Sequence, residues 1–251
     1  NYSTMGKFSD ANKYIEKAAQ NALLALEKVM PNDEDLQKRI GDSIEPMVLD
    51  EKINQFITTA NWYITKYPKS DKAPEIKFRV GRLYYLTNNF DLAEKQFKEI
   101  VHLYPKTKLS EYSANLLLDI YSLKKDYVGL EKIGGELLAN ESISNSKVGE
   151  DIRQVLEKAS FKRAQDLETD KKYFESATQY QNFANQNIKS TLVGVAFFNA
   201  AVNFERAGKN KDAISNYKKM LNSNSPTVEK LKPKGKRFLA KLYQDAGFFE
   251  E

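Results

Sequence analysis

The sequence contains no cysteine and a single histidine. A cysteine nucleophile, a disulfide framework, a Cys/His zinc site and an iron–sulfur cluster are therefore excluded. A serine–histidine–carboxylate triad would have to use His102. Glycine and proline are sparse, 11 and 7 of 251 residues, too few for a loop-rich or disordered chain. No phosphate-cradling loop is present: Gly134-Gly135 runs into Glu-Leu-Leu, and Gly235-Lys236 is followed by Arg237 rather than Ser or Thr. The longest uncharged run near the middle, Ser190 to Phe204, is 15 residues and includes Ser, Thr and two Asn. A spanning helix needs about 20 mostly apolar residues. No basic-then-apolar leader opens the chain at Asn1, so any leader or anchor is expected outside it.

What remains favours recognition over catalysis. The 34 carboxylates are scattered, and pairs such as Lys211 and Asp212 read as helix-surface charge. His102, between Val101 and Leu103, reads as a surface or groove-rim residue. No catalytic residue, metal site or cofactor is expected. The net charge of +5 is concentrated: Lys230, Lys232, Lys234, Lys236, Arg237 and Lys241 stand against Glu229, and the rest of the chain sums to zero. A nucleic-acid binder spreads its basic footprint over a face. Pro233 and Gly235 interrupt this stretch, which reads as a loop leading into a last helix.

Apolar residues recur at helical spacing. Ile76, Val80, Leu83 and Tyr84 form one stripe; Phe90, Ala93, Phe97, Ile100, Val101 and Tyr104 form a second. Thr87-Asn88-Asn89 separates them and Pro105 closes the pair. No stretch alternates like a strand. Within this unit Gly81, Tyr84, Ala93, Phe97 and Pro105 stand at fixed offsets. The signature returns as Ala201, Phe204, Ala213 and Tyr217, with Pro226 one residue late. Weaker copies hold Tyr121, Tyr127 and Leu130, then Phe174, Ala177 and Ala184. The second-helix anchors Ala93, Leu130, Ala177 and Ala213 step by 37, 47 and 36 residues.

In these positions the chain resembles the tetratricopeptide repeat (TPR) family, whose period is 34 residues. The resemblance covers roughly residues 50–251. It implies an all-α fold, a right-handed superhelix (α-solenoid) of stacked TPR-like hairpins, with about 11 to 13 helices. Residues 1–50 read as degenerate N-terminal repeat helices, and 51–139 as repeats. The polar stretch 140–147 reads as a linker or hinge, and 148–251 as further repeats. Both ends read as cut inside a repeat: Tyr2, Gly6, Phe8, Ala11 and Ile15 as a helix end and its partner, and Ala240, Tyr243, Gly247 and Phe249 as a helix and the start of the next.

The resemblance also implies where partners bind, because first helices line the concave surface of such stacks. Transferred by offset, that face carries Phe78, Arg82 and Tyr85, then Asn115 and Asp119, Lys162 and Asp166, Phe198, Val202 and Glu205, and finally Arg237 and Lys241. The alternative for Phe78, Tyr85 and Phe198 is packing between repeats. Phe78 and Arg82 stand where carboxylate-clamp members carry Lys and Asn, which argues against a clamp for C-terminal tails. The turns Tyr67-Pro68-Lys69-Ser70 and Tyr104-Pro105-Lys106-Thr107 resemble those of bacterial cell-envelope TPR proteins. These include the assembly lipoprotein of the outer-membrane β-barrel machinery, the Tol–Pal coordinator and the long envelope proteins of gliding and predatory bacteria. The expected function is a non-enzymatic scaffold that binds another protein or peptide, in the periplasm or at the outer membrane. The alternatives are a cytoplasmic adaptor, regulator or secretion chaperone, a targeting arm with catalysis elsewhere, and nucleic-acid binding through 229–241.

Overall fold

Four short turns set the architecture. In each, one residue between two helices takes a left-handed backbone: Asn88 (φ 55°), Lys125 (φ 53°), Lys171 (φ 60°) and Gly208 (φ 71°). Such a residue ends a helix and lets the chain fold back within two or three residues. The turns follow one another at 37, 46 and 37 residues. The structure, a computed structural model, describes the backbone of residues 2–245 and, Pro226 apart, the side chains from Lys13 onward. The readings placed on the side chains of Tyr2, Gly6, Phe8, Ala11, Pro226, Gly247 and Phe249 lie outside the described residues.

The protein is all-α, with no strand among the described residues. Its helices are α1 (Tyr2–Val29), α2 (Asp33–Ile40), α3 (Glu51–Lys66), α4 (Ala73–Leu86), α5 (Phe90–Leu103), α6 (Lys108–Leu123), α7 (Tyr127–Leu138), α8 (Glu141–Ser144), α9 (Lys147–Thr169), α10 (Tyr173–Gln186), α11 (Val193–Arg206), α12 (Asn210–Leu221) and α13 (Lys232–Asp245). Two boundaries differ from expectation. The first 28 helical residues are a single helix, not a helix end and its partner: one glycine costs a long helix only about 1 kcal/mol. The basic stretch is not a loop either, since α13 begins at Lys232. Proline is tolerated in a first turn, and Gly235 lets that turn approach Met220.

The chain divides into two compact units, residues 1–152 and 153–251. In the first, α1 packs on α3, α3 on α4, α4 on both α5 and α6, and α6 on α7. Leu23, Met30, Leu36, Ile53, Phe56, Tyr63, Val80 and Leu83 form one core cluster. Gly81 marks the α4–α5 crossing: a Cβ there would lie 2.8 Å from Phe97 Cε1. Asn32, Asp50, Thr107 and Asp126 accept backbone N–H bonds at the starts of α2, α3, α6 and α7. The 140–147 stretch carries α8, with Ile143 buried and Asn140 capping it. In the second unit α10 packs on α11, α11 on α12 and α12 on α13. Its core holds Tyr180, Phe183, Phe197, Phe198, Phe204, Tyr217 and Met220.

Ring contacts repeat with the hairpins. Phe78 meets Phe97 at 5.9 Å, Phe161 meets Tyr180 at 5.2 Å, and Phe198 meets Tyr217 at 6.0 Å between centroids. Each pair is 19 residues apart. At the α9–α10 crossing Ser176 Oγ donates to Ala164 O at 2.8 Å. The anchor on α10 is therefore Ser176, one residue before the expected Ala177. Both are small and fully buried, so size and polarity alone did not separate them.

Candidate partner-binding faces

In the first unit, α4 and α6 lie side by side and present Phe78, Arg82 and Tyr85 next to Asn115 and Asp119. The structure brings two of these together directly: the Tyr85 hydroxyl donates to Asp119 Oδ2. Burial, then the neighbouring carboxylate, pushes the Tyr85 phenol well above its ordinary range. Phe78 is half-buried, its ring against Phe97 and, at 6.3 Å, against Tyr112 on α6. Tyr112 is 55% exposed and was not among the expected residues. Its signal was available: it stands one helical turn before Asn115 on the same face. Asn115 is exposed between Tyr112 and Asp119.

Arg82 differs from its expected role. Its guanidinium pairs with Asp33 at the start of α2, 2.6 Å away, and Arg79 reaches the same carboxylate at 2.8 Å and Glu27 at 2.9 Å. The segment between α1 and α3, the least legible in sequence, thus runs along α4. Asn88 Nδ2 donates to the Ser43 and Glu45 carbonyls, Asn89 Nδ2 to Met47 O, and Met47 N to Thr87 O. Arg82 serves this internal tether. Between α1, α3 and α4 lies a cleft of about 290 Å³, floored by Leu23, Phe56 and Ile76 and edged by Gln20, Lys72 and Arg79.

In the second unit Lys162 and Asp166 are an i,i+4 ion pair on α9, 3.0 Å apart. The ring pairings put Phe161, not Lys162, in the position that Phe78 and Phe198 hold. Phe198 is a core side chain, 6% exposed, whose ring stacks on Phe238 at 6.3 Å. Val202 packs partly buried against the same cluster. Glu205 accepts from the Tyr217 hydroxyl at 3.3 Å, as Glu168 accepts from Tyr180 at 3.5 Å. Both phenols are pushed up by burial and then by that carboxylate. Arg237 and Lys241 are exposed on α13, and Lys234, which was not singled out for this face, sits 5.4 Å from the Phe198 ring centroid.

His102 is exposed on α5, and among the described residues no group of three Asp, Glu or His side chains is arranged to hold a metal ion. Among the described residues no helix is long and apolar enough to cross a membrane. The faces offer aromatic edges, carboxylates, amides and cations, which is the equipment of a recognition surface. The chain matches no protein-family model, and none of the curated proteins is similar to it.

Proposed function

We propose that this protein is a non-enzymatic scaffold, an α-solenoid of TPR-like hairpins that takes a partner protein or peptide on its first-helix surface. The observation that carries the reading is the α4/α6 face. There Phe78 and the exposed Tyr112 form an aromatic patch beside the Tyr85–Asp119 pair. Aromatic side chains on a rigid pair of helices lose little entropy on contact and bury large area. The tyrosine–proline turns support placing the scaffold in a bacterial envelope assembly. Their hydroxyls have a local task as well: Thr107 caps α6, and the Ser70 hydroxyl accepts a backbone N–H bond at the start of α4.

The test is site-specific photo-crosslinking in the native cell. A photoreactive phenylalanine analogue at Tyr112 should yield a discrete adduct with another protein, whereas the same probe at Lys95, exposed on α5, should not. Equal adducts at both positions, or none at Tyr112, would remove the face from consideration. Fractionation of the tagged protein with envelope or cytosol checks the compartment.

A further inference from the structure

Several cations elsewhere in the chain are held by neighbours: Arg79 and Arg82 by Asp33, Lys124 by Asp91, Arg206 by Glu168. On α13 Lys232 is paired with Glu229, but the cations beyond it are not. Lys234, Arg237 and Lys241 follow at spacings of three and four, so they share one face, and all three are exposed. None has an ion-pair partner among the described residues; Lys230, just before the helix, has none either, and Glu229 is taken by Lys232. The arrangement is locally unfavourable twice over. Like charges at this spacing repel. Lys232 and Lys234 also sit at the helix N-terminus, where the macrodipole favours anions, and the first turn holds no acidic residue.

Beneath the cations lies an aromatic floor. Phe198 and Phe238 stack with an interplanar angle of 20°, and Lys234 Nζ lies 5.4 and 5.5 Å from their centroids. Phe198 is spent in the core, but Phe238 is only partly buried. The face therefore offers three cations without an ion pair among the described residues, two of them lying over the partly buried Phe238 ring.

We propose that this face of α13 docks a short acidic segment of a protein partner, its carboxylates on Lys234, Arg237 and Lys241 and an apolar side chain against Phe238. The proposal rests on the scaffold reading above and specifies the chemistry of the partner. Charge and size favour a peptide. The cations from Lys234 to Lys241 span about 10 Å of helix, enough for a few carboxylates. Over the whole chain the charges outside 229–241 sum to zero, although the neighbouring α12 carries Lys218 and Lys219 in its last turn.

Fluorescence anisotropy with the full 251-residue chain tests it. The probe is a labelled peptide of four glutamates flanking one phenylalanine, compared with its glutamine counterpart and a labelled oligothymidine. The acidic peptide should bind, weaken with added salt, and lose about tenfold or more in affinity in the Arg237→Glu/Lys241→Glu variant. Arg237→Lys/Lys241→Arg should keep binding within about twofold, since it keeps the charge. If the reversals lower helix content, the glutamine variants Arg237→Gln and Lys241→Gln provide the same readout. Equal binding of the glutamine peptide, indifference to the charge variants, absence of binding, or tighter binding of the oligonucleotide overturns the proposal. Adducts at Tyr112 without acidic-peptide binding would leave the scaffold standing and remove only the acidic partner. Peptide binding without adducts at Tyr112 would do the reverse to the α4/α6 face.

Discussion

Asn88, Lys125, Lys171 and Gly208 share one backbone conformation but not one chemistry. A left-handed backbone costs a residue with a Cβ roughly 1–2 kcal/mol, which glycine escapes. Lys125→Gly and Lys171→Gly should therefore each raise stability, by up to about 1 kcal/mol after glycine's extra unfolded-state entropy. Gly208→Ala should lower it. Asn88→Gly should destabilise despite the same backbone, because Asn88 Nδ2 holds two carbonyls of the 41–49 segment. Denaturant titrations of the four variants read these signs directly. A second set of residues makes stability pH-dependent. Burial, aided by Asp119, Glu94, Glu168 and Glu205, raises the phenols of Tyr85, Tyr121, Tyr180 and Tyr217. A group held protonated in the folded state leaves stability intact below its unfolded pKa, about 10 for tyrosine, and withdraws it as pH rises further. Unfolding free energy should thus be flat from neutral pH to about pH 10 and fall beyond it, and Tyr85→Phe should make that fall shallower. A fall that begins well below that pH would contradict the assignment.

At the scale of elements, legibility followed the kind of force that forms each one. The α4–α5 hairpin was readable because apolar spacing, a polar turn and a closing proline agree at Ile76–Tyr84, Thr87–Asn89 and Pro105. α3 carries the same kind of spacing at Phe56, Ala60 and Tyr63, with Pro68 just beyond its end. The α2 segment was not legible in its placement. It is eight residues long and mostly charged, and its lodging depends on Leu36 and on bonds from Asn88 and Asn89 more than 40 residues away. Such side-chain to carbonyl bonds leave no periodic trace. The first-helix register named Phe78, Tyr85 and Asp119, and the structure joins the last two. It was misregistered on α9, where adjacent Ser176 and Ala177 both fit a small-residue crossing. Leu36 has 0% exposure within the first unit's core, so Leu36→Ala should cost about 2–5 kcal/mol. It should also speed proteolysis between Gly41 and Leu49, the stretch that follows α2 and is held by the Thr87–Asn89 turn. An unchanged cleavage rate would mean that α2 is dispensable to its neighbours.

At the scale of the molecule, the two compact units bear on how the protein unfolds. Chains built from stacked hairpins gain stability mainly from near neighbours, so cooperativity need not extend from end to end. Trp62, the one tryptophan, lies on α3 in the first unit, edge-on to Tyr67 at 6.1 Å. Its fluorescence should report on residues 1–152, while circular dichroism averages over the helices of both units. Denaturant curves from the two probes should not coincide; superimposable curves would show a single cooperative unit. The left-handed turns have a further consequence, for recombination. Residues 89–125 and 172–208 are cassettes of equal length, 37 residues each, and each runs from just past one such turn to the next. A chain in which one cassette replaced the other would keep its bends at the same positions while exchanging the aromatic edge of α6 for the core-spent face of α11. The turns are thus natural splice joints, at which the exposed surface can be changed without altering the length of the chain.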